Sequence, residues 1–236
     1  NQEIEKYIER KKKLYNNLLL FIESSDDSEK CFQNIIDIIN EQKLKENREN
    51  FEHFIRLIAS IANNHSNTES FFNKIYQIIQ HFVKEIKQTL SNIEIFHIFQ
   101  NNKKIILFLF EKEIITLDSD IADEIINKTE FNDIHYCHFF YPELKKFYGE
   151  DKTKDIEKEL LLYDSNVFDL YEKNRHEGEN EAYICSLIRD DYVEDFIAYV
   201  NRKNLPLNSE VNLSIFETHS FLNENHPTLI EYSAFF

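Results

Sequence analysis

An all-α chain of stacked antiparallel helical hairpins is what this sequence predicts, on three observations. Apolar residues recur at three, four or seven positions along one stretch after another, the spacing that stacks side chains on one helix face. No stretch sustains the alternation of a strand, and the β-branched isoleucines stand mostly at helical spacing. Only two glycines, Gly149 and Gly178, and three prolines, Pro142, Pro206 and Pro227, occur, so tight hairpin turns and positive-φ positions are scarce. The 236 residues, 42% hydrophobic and 14% aromatic, suffice to bury a core as one large or two smaller domains and are unlike a disordered composition.

The elements follow in order. Ile4, Ile8, Tyr15, Leu18 and Ile22 mark a first helix over residues 2–23. The break SSDDSE comes next, where Asp26 and Glu29 have capping-box spacing, and Cys31, Ile35, Ile38 and Ile39 mark a second helix. Phe51, Phe54, Ile55, Ile58, Ile61 and Ala62 form a clear amphipathic stripe, ending at NNHSNTES, where Asn67 or Thr68 can cap the next helix. The fourth stripe, Ile75, Ile79, Phe82, Ile86 and Leu90, is widened by Phe71 and Ile78 to a core-packing face. Short connections between these elements predict antiparallel hairpins.

Beyond residue 91 the helical segments shorten, and the polar stretch NRHEGENE, Asn174 to Glu181, marks a junction between a helical region 1–178 and a segment 179–236. Ile98–Ile114 and Leu187–Asn204 share one plan of helix end, polar turn and apolar helix. Ile106, Leu107, Leu109 and Phe110 align with Phe196, Ile197, Tyr199 and Val200, and Asn101 and Asn102 align with Asp190 and Asp191 after a one-residue slip. Such pairs bury little alone and must stack on neighbours, the logic of an α-solenoid; a generic helical bundle can mimic the match.

The last residues, HPTLIEYSAFF, resemble the opening of an ankyrin repeat. Thr228 takes the threonine position, Leu229 stands where proline is usual, Ile230 takes the leucine position, Glu231 replaces histidine, and Ser233 and Ala234 fit the paired small residues that let a first helix lie close to its neighbour. Thr228 can also hydrogen-bond back across the helix start. Together with GENEAYICSLIRDDYVEDFIAYVN, SIFETHSFLNENHPTLIEYSAFF, FEHFIRLIASIANNH, SNIEIFHIFQNNKKIILFLF and YCHFFYPELKKF, this ending resembles a group of divergent ankyrin-repeat proteins of parasitic protists that carry a helical N-terminal region. The resemblance implies a protein–protein interaction scaffold, the N-terminal part of a longer chain, with no catalytic residues to carry across. On this reading Phe235 and Phe236 await a second helix, and 181–202 is a divergent helical pair. The two repeat starts lie about 47 residues apart against about 33 in the usual unit, so the connection carries an insertion of roughly 14 or a short helix around Ser214–Leu222. Insertions in repeat proteins fall on exposed faces, which makes Asn212, Glu217, His219 and Asn223 candidate contacts to a protein partner.

Charge and chemistry narrow the function classes. A net charge of −16 repels phosphate backbones and leaves nucleic acid an unexpected partner, with the run RKKK, Arg10–Lys13, the densest basic cluster. The longest apolar run, Ile105–Phe110, is roughly a third of a bilayer span. Three widely spaced cysteines, Cys31, Cys137 and Cys185, fit reduced thiols, and a cytoplasmic protein is expected. His135, Cys137 and His138 offer zinc-type donors, but Cys137 and His138 diverge by about 100° on a helix and no second pair completes a site. Cys185, set among Ile184, Leu187 and Ile188, reads as a buried small hydrophobe rather than a nucleophile. Neither a P-loop nor a dinucleotide fingerprint can be assembled, and DSD at 118–120 reads as a helix cap. The aromatic segment CHFFYPELKKFYG would suit protein binding if a ring were exposed beside Lys145 and Lys146. No catalytic, cofactor-binding or metal residue is assigned. The alternatives to a scaffold are a structural subunit of a larger assembly and, more remotely, a metal-dependent protein using His135, Cys137 and His138.

Overall fold

The computed structural model describes residues 2–24, 28–64, 68–131 and 135–236, so Asp26, His65 and Asn67 lie outside the described residues. Among those described there is no strand, only an isolated bridge between Glu210 and Thr228, and the all-α expectation holds. The chain divides into two compact units, 1–100 and 101–236.

Unit 1 contains α1 (Gln2–Glu23), α2 (Ser28–Glu41), a 3₁₀ turn at Leu44–Glu46, α3 (Arg48–Asn64), α4 (Glu69–His81), α5 (Val83–Thr89) and α6 (Asn92–Phe99). α1 and α2 are an antiparallel pair: the end of α2 meets the middle of α1, where Lys13 Nζ lies 3.1 Å from Glu41 Oε2. α1 has 22 residues and α2 only 14, so the first turns of α1 run on past the end of α2. The overhang uncovers the first turns, and beyond it Leu14 takes the inward position, turning Tyr15 about 100° away around the helix. Leu14, Leu18, Phe21 and Ile22 are buried, whereas Ile4, Ile8 and Tyr15, which the periodicity assigns to the core, are exposed. No basic residue stands in the last turn of α1, and Lys74 of α4 serves instead, donating to the backbone oxygens of Ile22 (3.0 Å) and Ser24.

The expected fourth helix is two helices. At Phe82 the backbone turns to φ −100° and ψ 12°, ending α4 and opening α5, while the apolar stripe runs through unbroken. Phe82 is fully buried, with its ring 6.2 Å from Phe51 and 5.4 Å from Phe54, so it anchors the bend on α3. Thr68 caps α4 through Phe71 N, and Ser91 and Glu94 form a capping box at α6.

Unit 2 contains α7 (Lys103–Glu111), α8 (Ser119–Phe131), α9 (Tyr136–Phe139), α10 (Tyr141–Tyr148), α11 (Glu150–Tyr163), a 3₁₀ turn at Val167–Asp169, α12 (Tyr171–Glu177), α13 (Tyr183–Arg189), α14 (Val193–Lys203), α15 (Ser220–Asn225) and α16 (Leu229–Phe235). Asp118 caps α8 through Ile121 N, which is the role expected of DSD. Pro142 stands in the first turn of α10, where its missing N–H costs nothing, and Gly149 at φ +83° ends it. Arg175 of α12 is buried and grips Glu143 of α10 with two bonds, Nη1 at 2.8 Å and Nη2 at 3.0 Å. The two turns aligned by self-similarity differ in geometry. Asn102 caps α7 by accepting from Ile105 N, whereas Asp191 takes a left-handed φ of 56° and no side chain caps α14.

The compact units divide at Gln100–Asn101, and Gly178, where composition suggests a junction, lies inside unit 2. It ends α12 at φ +69°, and its oxygen accepts from Thr218 N (3.1 Å) and Thr218 Oγ1 (2.7 Å). A Cβ on Gly178 would sit 3.1 Å from two Thr218 atoms, so backbone conformation and packing both demand glycine. Phe82→Ala is expected to lower unfolding stability by about 3–5 kcal/mol in urea titration, because the bend it anchors is solvent-excluded.

Candidate interaction surface

The segment after α14 determines what unit 2 exposes. Residues 205–219 form a strap that enters two apolar clusters. Val211 joins Cys185, Leu222, Leu229 and Tyr232, and Ile215 and Phe216 join Tyr141, Leu160, Val167 and Tyr171. The strap is core at Val211 and over residues 214–218, while 206–208, 210 and 212 are exposed, so the expectation of an exposed insertion is corrected for its second half. Of the short helix anticipated around Ser214–Leu222, the structure forms α15, beginning at Ser220.

Polar groups fix the strap to the turn between α12 and α13. Asn180 is buried and fully paired: its N–H donates to Glu217 Oε2 (3.2 Å), Nδ2 donates to Asn212 O (2.8 Å), Oδ1 accepts from Ala182 N (3.0 Å), and its carbonyl accepts from Arg189 Nη1 (2.8 Å). Arg189 also donates to Tyr232 Oη at 2.9 Å and pairs with Glu179 at 2.7 Å, which ties α13 to α16. Glu217 Oε1 accepts from His219 N at 2.8 Å. Burial pushes the Glu217 carboxyl up to about 7, overcoming these bonds and the nearby charges of Lys103 and Arg189.

The four candidate contacts are thereby placed. Glu217 is 3% exposed, which removes it as an exposed partner contact. His219 is half-buried with its ring 4.5 Å from Phe235, and burial holds its pKa down. Asn223 is half-buried and donates to Glu217 O at 2.9 Å. Asn212 is exposed in side chain, while its carbonyl holds Asn180. Two of the four, Glu217 and Asn223, fix the strap through their side chains, because a buried backbone must find partners and these groups are at hand.

The exposed apolar surface lies elsewhere. α14 is amphipathic, yet none of its residues is buried. Phe196, Tyr199 and Val200 are half-buried, with Tyr199 meeting Tyr183 of α13 at a ring distance of 5.5 Å. Val193 at 50%, Ile197 at 52% and the preceding Tyr192 at 56% stand open, flanked by exposed Asp190, Asp191, Glu194 and Asp195. At α16, Thr228 accepts from Glu231 N and the Glu231 carboxylate accepts from Thr228 N at 2.8 Å, a capping box that the T-x-x-E spacing signals. Leu229 and Tyr232 point inward; Ser233 and Ala234, expected to lie against a neighbouring helix, are exposed.

The chemistry-bearing residues are committed to packing. Cys137 and His138 are buried, His138 Nε2 lies 2.9 Å from Glu159 Oε2, and the His135 and His138 rings are 5.7 Å apart. Among the described residues no group of three or more His, Cys, Asp or Glu side chains could hold a metal ion. Cys185 is fully buried and burial pushes its thiol up to about 12, opposite to what a nucleophile needs. In the aromatic segment Phe139, Phe140 and Tyr141 are core and Phe147 is exposed near Lys146. Among the described residues no helix is long and apolar enough to cross a membrane.

No family model, curated protein or solved structure matches the chain. Glu217 gives a pH test with a definite sign. The unfolded chain ionises this carboxyl near 4.5 and the folded one near 7, so its contribution to stability is complete below 4.5 and is lost as pH rises through 7. Urea midpoints of wild type relative to Glu217→Gln are expected to fall across that window; a difference that stays flat would contradict the assignment.

Proposed function

We propose that the chain is a non-catalytic protein–protein interaction scaffold of stacked helical hairpins, of the divergent ankyrin type toward its C-terminus, working in the cytosol. The observation that carries this reading is α14: a helix with an apolar face that buries none of its residues, leaving Val193, Ile197 and Tyr192 open beside four carboxylates. Apolar and aromatic side chains on a rigid helix are the usual anchors of protein interfaces. The capped start of α16 and the α13–α14 hairpin support the repeat reading. The partner is a protein whose contact surface is apolar with a basic rim, as the charges around Tyr192–Ile197 require.

A second reading, a structural subunit of a larger assembly, is favoured by another exposed apolar run: Leu161, Tyr163, Phe168, Leu170 and Leu162, the last at 86% exposure. The two readings separate by mutation. Val193→Glu with Ile197→Glu is expected to abolish crosslinking to the scaffold's partner in cells while shifting unfolding stability by only about 0.5 kcal/mol, since neither side chain is buried and each is about half exposed. Retained crosslinks in that variant, with loss in Leu162→Glu and Leu170→Glu instead, would favour the assembly reading.

A further inference from the structure

The basic run Arg10–Lys13 is taken up by neither the strap nor the α14 surface, and the fold sets two of its members, Lys11 and Lys12, at a shallow cleft. Within unit 1, α1 and α3 flank an open cleft of about 490 Å³, a volume suited to a bound side chain or small ligand. Its floor is apolar, made by the buried faces of Leu14 and Phe54, with Tyr15 on the wall. Its rim is basic: Lys11 and Lys12 from α1, His53 and Arg56 from α3. Among the described residues no acidic side chain lines it. Glu52 accepts from Arg56 Nε at 2.8 Å and offsets one of the cations. On a chain of net charge −16 this is a local reversal of sign, with an apolar floor beneath it.

We infer that the cleft between α1 and α3 docks an acidic segment of a protein partner, which lays one apolar side chain on Tyr15 and Leu57, above the buried Leu14 and Phe54, and sets its carboxylates against Lys11, Lys12 and Arg56. Charge complementarity selects the occupant. A nucleic acid would meet the rim cations but would also meet the repulsion of the whole acidic chain and would leave the apolar floor unused. An anionic membrane is a flat surface, whereas the apolar floor residues lie buried beneath the basic side chains. The inference is independent of the α14 surface, which lies in the other unit and carries the opposite charge.

The test uses the full chain and a fluorescein-labelled peptide alternating glutamate and leucine, with lysine–leucine and glutamate–serine peptides as controls, read by fluorescence anisotropy. The glutamate–leucine peptide is expected to bind more tightly than either control and to weaken as salt is raised. Lys12→Glu is expected to weaken it about tenfold or more, as a like charge placed at a complementary rim does. Arg56→Gln, a milder exposed change, is expected to weaken it in the same direction with an unchanged melting temperature. Equal binding of the lysine–leucine peptide, wild-type affinity in both variants, or capture of the chain by phosphatidylserine vesicles without peptide binding would each overturn the inference.

Discussion

Deep in unit 2 the carboxylate of Glu217 accepts hydrogen bonds from the N–H groups of Asn180 and His219, and the arrangement around it follows from satisfying these buried groups. An uncompensated carboxylate in an apolar interior is costly, so it is either paired or protonated. Here it has both recourses: two N–H donors, and a pKa raised to about 7 that lets it hold a proton. Asn180 can lie in place because Gly178 turns the chain at φ +69° after α12 and leaves room for Thr218. Arg189 then closes the arrangement by bonding Asn180 O and Tyr232 Oη, so α13 and α16 are fixed by the same groups that fix the strap.

This constraint decides what unit 2 shows to its surroundings. A loose connection after α14 would leave Glu217, His219 and Asn223 facing solvent; held down, it delivers Val211, Ile215 and Phe216 to the core, and Glu217 and Asn223 bond the local backbone. Among the apolar side chains that remain outside are Val193 and Ile197 of α14, a regular helix set against α13. A recognition surface on a helix anchored this way is more rigid than one on a loop, which lowers the ordering cost of binding. Unit 1 presents the opposite character, a recessed apolar floor under basic side chains.

Much of the helical architecture was legible because periodicity is local. The stripes of α3 and α4, the cap at Thr68 and the cap at Asp118 follow from spacings within a few residues. The Ser91–Glu94 and Thr228–Glu231 capping boxes carry their signal in the same way. What was not legible depends on distant partners. The break at Phe82 leaves the apolar stripe intact and arises from packing on Phe51 and Phe54. The exposure of Ile4 and Ile8 depends on where α2 stops. The Asn180–Glu217 bond joins residues 37 apart in a pattern with no period, so a polar junction and a polar insertion look alike until they meet. For the candidate site the lesson is sharper: polar residues on a long connection signalled exposure, and the buried backbone had first claim on them.

Native-state hydrogen exchange on the strap tests the central claim most directly. The amides of Val211, Phe216 and Thr218 donate to Pro227 O, Ser214 Oγ and Gly178 O. They should exchange as slowly as the interior amides of α13, through the same cooperative opening. Exchange of these three amides at the rate of an open loop, with α13 still protected, would contradict the account.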